Sequence, residues 1–155
     1  MQGFAQTFLV VVDETPECAK ALRYATLRAD RTGANVRILH VLPPTRFLEW
    51  RGAQQEIEAE EQQHGEEILA AKAAEAEAMS GKRPETRLLR GLPKQVVLEL
   101  LRDDRSIRAL VLAAAARGRP GPLVDFFAGQ QAGKLPCMVI VVPGGIDDND
   151  LDRLT

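Results

Sequence analysis

The chain has 155 residues, of which 45% are hydrophobic and 27% are charged, and its formal net charge is −2. This length favours one compact domain that can bury a core without disulfides or structural metals. The nearly balanced charge gives no reason to expect nucleic acid or a membrane as a partner, and no segment approaches the ~20 apolar residues of a membrane span. We therefore expect a soluble protein, and a start that lacks a basic region followed by an apolar stretch favours the cytoplasm.

Cysteines are sparse. The two cysteines, Cys18 and Cys137, both lie inside apolar patterns. Disulfide frameworks and metal sites need more cysteines or clustered ligands, so we expect two reduced residues that act as small hydrophobic side chains.

Five short runs rich in β-branched and aliphatic residues predict strands. The first, fourth and fifth runs are almost continuously apolar, which is typical of strands covered by helices on both faces of a parallel sheet. The predicted strands span residues 8–12, 36–42, 86–89, 109–113 and 138–142.

Helical patterns lie between these strands. The first helix is predicted to have Thr15 as its N-cap, Pro16 at its first position and Gly33 at its end. Its predicted buried face consists of Cys18, Leu22, Ala25 and Ala29. The second helix, from about residue 53 to 79, is rich in strong helix formers but has a thin apolar stripe. That stripe comprises Ile57, Ile68, Leu69, Ala76 and Met79.

Two further helices complete the pattern. The third starts after Gly91 with Pro93 in its first turn, and the fourth fills residues 123–135. The inward residues of the third helix are predicted to be Val97, Leu100 and Leu101.

The strict alternation of strands and helices predicts an α/β fold. Such chains form a single doubly wound parallel sheet, with right-handed crossovers and helices on both faces. Ligands in these sheets bind outside the carboxyl ends of the strands, where the winding direction reverses. The ends of the first and fourth strands are therefore the candidate site.

The first strand runs directly into Asp13. A carboxylate at this edge can accept a hydrogen bond from a ribose hydroxyl or hold a metal-bound water. It can equally support the following loop or a helix N-terminus, where the helix dipole favours negative charge. Position alone leaves both interpretations open.

The second strand ends at His40 and Val41. Backbone groups at such an edge can pair with an adenine ring. His40 shares a face with the core residues Val36 and Ile38, so we expect a structural histidine rather than a ligand or base. No second histidine or nearby thiol completes a catalytic constellation.

The fourth strand leads into a loop with the sequence ARGRPGP at residues 116–122. Glycines between a strand and a helix let backbone amides approach a phosphate, and Arg117 and Arg119 can contact phosphate oxygens. Two prolines in the loop have no amide hydrogen to donate. A phosphate loop and a stiff surface turn remain equally open.

Several segments, taken in order, resemble universal stress protein domains. They are the strand ending at Val12-Asp13, AKALRYA at 19–25, LHV at 39–41, the long acidic helix, Gly91 with Pro93, ALVL at 109–112 and PCMVIVVP at 136–143. The match covers residues 6–143 with similar spacings. We therefore divide the chain into a domain at 1–143 and an acidic tail at 144–155. The tail is expected to be frayed, although residues 148–154 can form a short helix against a partner.

The resemblance implies the strand order 3-2-1-4-5 of adenine nucleotide α-hydrolase-like folds, and a homodimer formed through residues 138–142. In nucleotide-binding members of the family, the first-strand aspartate meets the ribose, which maps to Asp13. The end of the second strand meets the adenine, which maps to Val41. The phosphates lie on a G-x-x-G pattern followed, after a spacer, by G-[ST]. The corresponding candidates here are Ala115, Arg117, Gly118, Arg119, Gly121 and Gly129.

This phosphate pattern is incomplete in the chain. With Gly118 as the second glycine, the first becomes Ala115 and the closing pair falls at 128–129. With Gly118 and Gly121 as the two glycines, the spacer is too short and Gln130 stands where a hydroxyl should be. Neither alignment supplies the closing Ser or Thr, and an alanine methyl obstructs a phosphate that needs backbone contact.

Charge is unevenly distributed along the chain. Basic residues outnumber acidic ones between Lys82 and Arg119, whereas the second helix is acidic. A solvated surface is the usual meaning of such a pattern, and docking of a partner or attraction of an anion is the alternative.

Three functional hypotheses follow. The leading one is a non-enzymatic stress-response module, a homodimer whose cleft holds ATP, ADP or AMP weakly. The second is a nucleotide-free scaffold of the same fold for an unidentified protein partner. The third is a weak ATPase, which is disfavoured because the sequence shows no catalytic base, no adjacent nucleophile and no S-G-G-x-D-like loop.

Overall fold

The structure, a computed structural model, describes residues 6–45 and 50–155. Strands and helices alternate as the sequence predicts, and all five predicted strands are confirmed. In chain order the elements are β1 (Thr7–Val11), α1 (Cys18–Thr32), β2 (Asn35–Leu42), α2 (Arg51–Ser80), β3 (Glu85–Arg90), α3 (Pro93–Asp103), β4 (Ile107–Ala114), α4 (Pro122–Val124) with a π-helical continuation (Asp125–Gln130), β5 (Met138–Pro143) and α5 (Asp148–Arg153).

The five strands form one parallel sheet in the order β3-β2-β1-β4-β5, which confirms the predicted topology. In the centre, Val10 lies opposite Ile38 on one side and Val111 on the other. The winding direction therefore reverses between β1 and β4, where a doubly wound sheet opens a crevice at its carboxyl edge.

The sheet separates two hydrophobic cores. Because successive strand residues point to opposite faces, Phe8 and Val10 enter one core while Leu9 enters the other. The first core lies under α1, α2 and α5, and the second lies under α3 and the π-helical segment, which contributes the fully buried Phe127. Helices on both faces explain why the central strands are almost uniformly apolar.

The start of α1 differs from the prediction. The helix begins at Cys18, and neither Thr15 as N-cap nor Pro16 as first helical residue is correct. Asp13 explains the difference, because its side chain accepts the backbone N–H of Thr15 at 2.9 Å and also the Thr15 hydroxyl. These bonds draw Thr15 into a turn before the helix. Gly33 ends α1 as predicted, with a left-handed φ of 77°.

The predicted stripe of α2 is confirmed at four of its five residues, because Leu69 and Ala76 are buried and Ile68 and Met79 pack against the first core. Ile57 is exposed, and the buried face is formed by Gly65, Leu69, Ala73 and Ala76. A Cβ on Gly65 would lie only 2.8 Å from a Leu88 methyl and 2.9 Å from a Leu42 methyl. Small residues thus let α2 approach the sheet closely, so a stripe of large residues is not needed.

The helix predicted at 123–135 is shorter than expected. It begins at Pro122 and ends at Gln130, with its last residues wound as a wider π-helix. The Gln131 N–H donates to the Phe126 carbonyl at 2.8 Å, which closes this wide turn. Gly133 and Pro136 follow, and both disfavour further helix.

The acidic tail is ordered against its own chain, so the expectation that it frays is wrong. Asp147 caps α5 by accepting the Asn149 N–H at 2.8 Å. Asp148 and Asp152 then pair with Lys20 and Arg23 of α1, each at 2.7 Å. Leu151 is only 2% exposed and joins the first core.

Several cations of the basic stretch are paired within the chain. Arg90 reaches Glu61 of α2 at 2.5 Å, and Arg83 reaches Glu77 of the same helix at 3.0 Å. Part of the charge imbalance seen in the sequence is therefore met by carboxylates of the acidic helix α2.

Candidate functional site

A cavity of about 740 Å³ opens at the carboxyl ends of β1 and β4, where the winding reverses. Its walls come from the end of β1 with the loop into α1, the start of α3, the end of β4, and the loop that leads into α4 and the π-helical segment. Its lining residues are Val11, Asp13, Thr15, Glu17, Cys18, Leu92, Pro93, Lys94, Gln95, Leu112, Ala113, Pro120, Gly121, Pro122, Leu123, Val124 and Phe126. Volume and position are those expected of a small-molecule site.

Asp13 lies on the β1 side of this cavity. Its carboxylate is oriented by the two hydrogen bonds from Thr15, and its own N–H donates to the Cys18 sulfur at 3.4 Å. The carboxylate is exposed to solvent. Asp13 therefore supports the loop, which is one of the two roles considered from the sequence. It also lies at the cavity, as the second role, ligand binding, requires.

The Cys18 thiol also lines the cavity, but it is not set up as a nucleophile. The side chain is buried as predicted, and this burial raises the pKa of the Cys18 thiol. Burial likewise raises the pKa of Cys137, which is half-buried. A reactive cysteine requires the thiolate, so both thiols are chemically quiet near neutral pH.

The loop after β4 uses part of its own hydrogen-bonding capacity. The Ala115 N–H donates to the Pro120 carbonyl at 3.0 Å, which closes the loop on itself. Gly118 and Gly121 take the positive φ values of 75° and 124° that this tight course requires. The amide at the position of the first family glycine is thus turned into the loop.

Charged groups around the cavity are few. In the described part of the chain, its lining contains the carboxylates of Asp13 and Glu17 and the ammonium of Lys94. The Lys94 nitrogen lies 5.5 Å from the centre of the Phe126 ring, an arrangement that favours cation–π attraction. Most of the remaining wall is aliphatic or aromatic.

The eight predicted site residues are distributed unequally. Asp13 and Gly121 both line the cavity. Four others lie in the adjoining loop or at its start without lining the cavity: Ala115, Arg117, Gly118 and Arg119. Val41 packs against the second core, and Gly129 is exposed near the end of the π-helical segment.

Sequence reasoning missed the wall contributed by α3. Leu92 and Lys94 follow β3, which lies at the far edge of the sheet, so the strand order does not draw attention to them. The strand order could nevertheless have predicted this wall, because every crossover helix in a parallel sheet starts at the carboxyl edge. A helix that crosses from β3 to β4 must begin near this crevice.

His40 lies outside the cavity lining. Its Nδ1 forms a hydrogen bond with the Val12 carbonyl at 2.7 Å, which ties β2 to the end of β1. Since a carbonyl only accepts, Nδ1 is the protonated nitrogen in this bond. The structural role predicted for His40 is confirmed.

Residues 6–45 and 50–155 contain neither a metal-binding cluster nor a membrane-spanning helix. No group of three or more His, Cys, Asp or Glu side chains is placed to hold a metal ion. No helix in these ranges has the length and apolar character needed to cross a membrane.

Comparisons with known proteins agree with this architecture. The profile of the Universal stress protein family matches residues 5–143. A search of curated protein sequences gave no significant match.

Solved structures of this family share the fold. The universal stress protein UspA from Lactobacillus plantarum superposes with a TM-score of 0.73 and 21% identity, covering 91% of this chain and 99% of that one. The universal stress protein from Archaeoglobus fulgidus in complex with dAMP gives 0.60 and 21%, covering 90% and 99%. A family protein from Arabidopsis thaliana with AMP bound gives 0.58 and 12%, covering 94% of each chain.

Proposed function

This chain belongs to the universal stress protein family, and on that premise we propose that it is a non-enzymatic module that binds an adenine nucleotide weakly. The site is the cavity between the ends of β1 and β4. The family relatives from Archaeoglobus fulgidus and Arabidopsis thaliana, solved with dAMP and AMP, support adenine nucleotides as the ligand class.

One observation carries the proposal: a cavity of about 740 Å³ sits where the sheet reverses, with the Asp13 carboxylate on its wall. Small-molecule sites have volumes of about 300–1,000 Å³ and combine apolar walls with a few polar groups. In this assignment, Asp13 accepts hydrogen bonds from the ribose hydroxyls. The base packs against aliphatic residues of the wall such as Val11 and Leu112.

Weak binding follows from the phosphate side of the site. The Ala115 amide is already bonded to Pro120, and Pro120 and Pro122 have no amide hydrogen. The loop therefore offers a phosphate fewer donors than a glycine-rich loop that closes with a hydroxyl residue.

The absence of catalysis is part of the proposal. Two candidate groups are unsuited to catalysis, because burial raises the pKa of the Cys18 thiol and His40 is hydrogen-bonded to the Val12 carbonyl. The Asp13 carboxylate also lies at the cavity, but it accepts the N–H and the hydroxyl of Thr15, and these bonds close the turn before α1. A hydrolase needs a base within reach of a water or hydroxyl, oriented by a third group. We expect no turnover of ATP above the uncatalysed rate.

Calorimetry with AMP tests the binding. We expect saturable heat with the native protein and a loss of affinity of about tenfold or more in Asp13→Ala, because hydrogen bonds to a charged group contribute about 1.5–3 kcal/mol. Glu14→Ala is the matched control, since Glu14 lies next to Asp13 but pairs with His64 and does not line the cavity. Absence of heat at millimolar AMP would refute the proposal.

The nucleotide-free scaffold is the second candidate, favoured by the same Ala115–Pro120 bond that closes the loop. It predicts a protein that purifies without nucleotide and shows no thermal shift with AMP. Nucleotide released by denaturing the pure protein decides for the binding module.

Self-association is also proposed. β5 is an edge strand of the sheet, and Met138 at its start is 59% exposed. Open strand edges pair readily with other chains, so a second copy of β5 is the partner we propose.

A further inference from the structure

We infer that this cavity selects adenine compounds with few phosphates, so that affinity falls from adenosine through AMP and ADP to ATP. The inference rests on the proposed function, because it concerns which adenine compound the same cavity accepts. Three features of the cavity lead to it: its charge, its hydrogen-bond donors and its apolar wall.

The charge of the lining disfavours polyphosphates. In the described residues, the lining includes two acidic residues, Asp13 and Glu17, and one basic residue, Lys94. Each phosphate added to a nucleoside adds negative charge to a cavity with two carboxylates in its lining, and at low salt these like charges repel. Lys94 offsets only part of this repulsion, since its ammonium also lies over the Phe126 ring.

The cations of the loop do not line the cavity. Arg117 and Arg119 are exposed residues between Ala116 and Pro120, outside the lining. Exposed arginines in solvent gain little from a charged partner, because water and salt screen the attraction. They therefore do not reverse the charge preference of the cavity itself.

Part of the hydrogen-bond donor capacity on the phosphate side is already used or missing. The Ala115 N–H is taken up by the Pro120 carbonyl at 3.0 Å, and the Ala114 carbonyl accepts the Gly144 N–H at 2.7 Å. The tail thereby fixes the start of the loop, where the Ala115 amide is directed at Pro120. Prolines at 120 and 122 remove two more donors.

The apolar wall suits the uncharged part of the ligand. Val11, Leu112, Leu123, Val124 and Phe126 present aliphatic and aromatic surface to the cavity. Such a surface binds a flat base and the carbon face of a ribose through burial of apolar area, which is independent of the phosphate number. Base and ribose are thus favoured, and added phosphates lower the affinity.

A calorimetric series with adenosine, AMP, ADP and ATP tests the inference on the full chain, at low salt and without magnesium. We expect ATP to bind at least about tenfold more weakly than adenosine, and the difference to shrink as salt screens the repulsion. The variant Glu17→Gln should narrow the ratio of adenosine to ATP affinity by about threefold or more, because it removes one carboxylate. Asp30→Asn is the matched control and should leave the ratio unchanged, since it lies near the other end of α1, about 20 Å away.

The outcomes separate the two proposals. ATP that binds as tightly as adenosine, or more tightly, would overturn the inference and leave the proposed function standing. A ratio that Glu17→Gln does not change would also overturn it. Failure of all four compounds to bind the folded protein would refute the proposed function, and the inference with it.

Discussion

Gly144 is the residue at which the tail meets the carboxyl edge of the sheet. A Cβ at this position would lie 2.5 Å from the Ala114 carbonyl oxygen and 2.7 Å from the Glu17 Cβ. Both neighbours are held in place, one as strand backbone and the other at the start of α1. Only glycine allows the chain to pass this closely.

Gly144→Ala should therefore lower the free energy of unfolding by about 1–3 kcal/mol, because the added methyl must displace backbone. Urea denaturation measures the change. Gly145→Ala is the control, since a Cβ there meets only the Ala116 methyl at 3.4 Å, and its stability should stay within about 0.5 kcal/mol of the native value. Equal stability of the two variants would contradict the close approach at Gly144.

Asp104 gives the protein an acid-sensitive contact. The Ser106 hydroxyl donates to its carboxylate at 2.6 Å, and Arg37 donates at 2.5 Å. These bonds lower the pKa of the Asp104 carboxyl from its ordinary 3.8 to about 2, with the Ser106 bond as the larger cause. The carboxyl thus binds its proton more weakly in the folded protein than in the unfolded chain.

The sign of the pH dependence follows. The stability that Asp104 contributes is fully present above its unfolded pKa near 4, and it is lost as the pH falls toward 2. Asp104→Asn should flatten the fall in unfolding free energy between these values, as measured by urea denaturation at several pH values. Asp103→Asn, at an exposed neighbouring position, is the control and should keep the native dependence of unfolding free energy on pH. If Asp104→Asn also kept the native dependence, the proposed role of Asp104 would be contradicted.

At the scale of elements, the strands are predictable from the sequence because each is a short buried run bounded by turn residues. Helix ends are less predictable, since they depend on long-range contacts. The turn at Asp13 places the first residue of α1 at Cys18 instead of Pro16. In α2, Gly65 and Ala73 join the predicted buried residues, whereas Ile57 is exposed. The hydrophobic pattern alone predicts neither the Asp13–Thr15 turn nor the close approach of α2 to the sheet.

The docking of the tail also depends on long-range contacts that the local sequence does not reveal. In sequence, residues 144–155 are acidic and glycine-led, which is typical of a frayed terminus. Lys20 and Arg23, which pair with it, lie more than a hundred residues earlier in the chain, so no local pattern reveals the docking. The candidate site was only partly predictable from the sequence. Asp13 and Gly121 follow the ends of β1 and β4, whereas Lys94 reaches the cavity because α3 crosses the sheet from β3 to β4.

The docking of α5 can be tested with two leucines on the same helix. Leu151→Ala should lower the unfolding free energy by about 2–5 kcal/mol, because Leu151 is 2% exposed and its removal leaves a cavity in the first core. Leu154→Ala, at a position that is 64% exposed, should change it by less than about 0.5 kcal/mol. Urea denaturation of both variants gives the comparison, and a small effect at Leu151 would mean that the tail is not docked.

At the scale of the whole molecule, the proposed homodimer depends on β5. Met138→Lys should dissociate it, because a lysine on an edge strand opposes pairing with a second copy. The monomer should remain folded, since Met138 is 59% exposed. Sedimentation velocity measures the change, with Leu154→Lys, at a position that is 64% exposed and lies outside β5, as the control.

Pairing through β5 would be supported if Met138→Lys sediments as a monomer while the native protein and Leu154→Lys both sediment as dimers. A native protein that sediments as a monomer at every concentration would refute the dimer. Neither result bears on the cavity, which is formed within one chain.

The central proposal is that an adenine nucleotide binds at the carboxyl ends of β1 and β4. Titration of ¹⁵N-labelled protein with AMP, followed by amide chemical shifts, locates the ligand residue by residue. We predict saturable shifts centred on Asp13, Lys94 and Gly121 at the cavity. Shifts confined to the opposite, amino-terminal edge around Arg105 and Met138, or no shifts at millimolar AMP, would contradict the account.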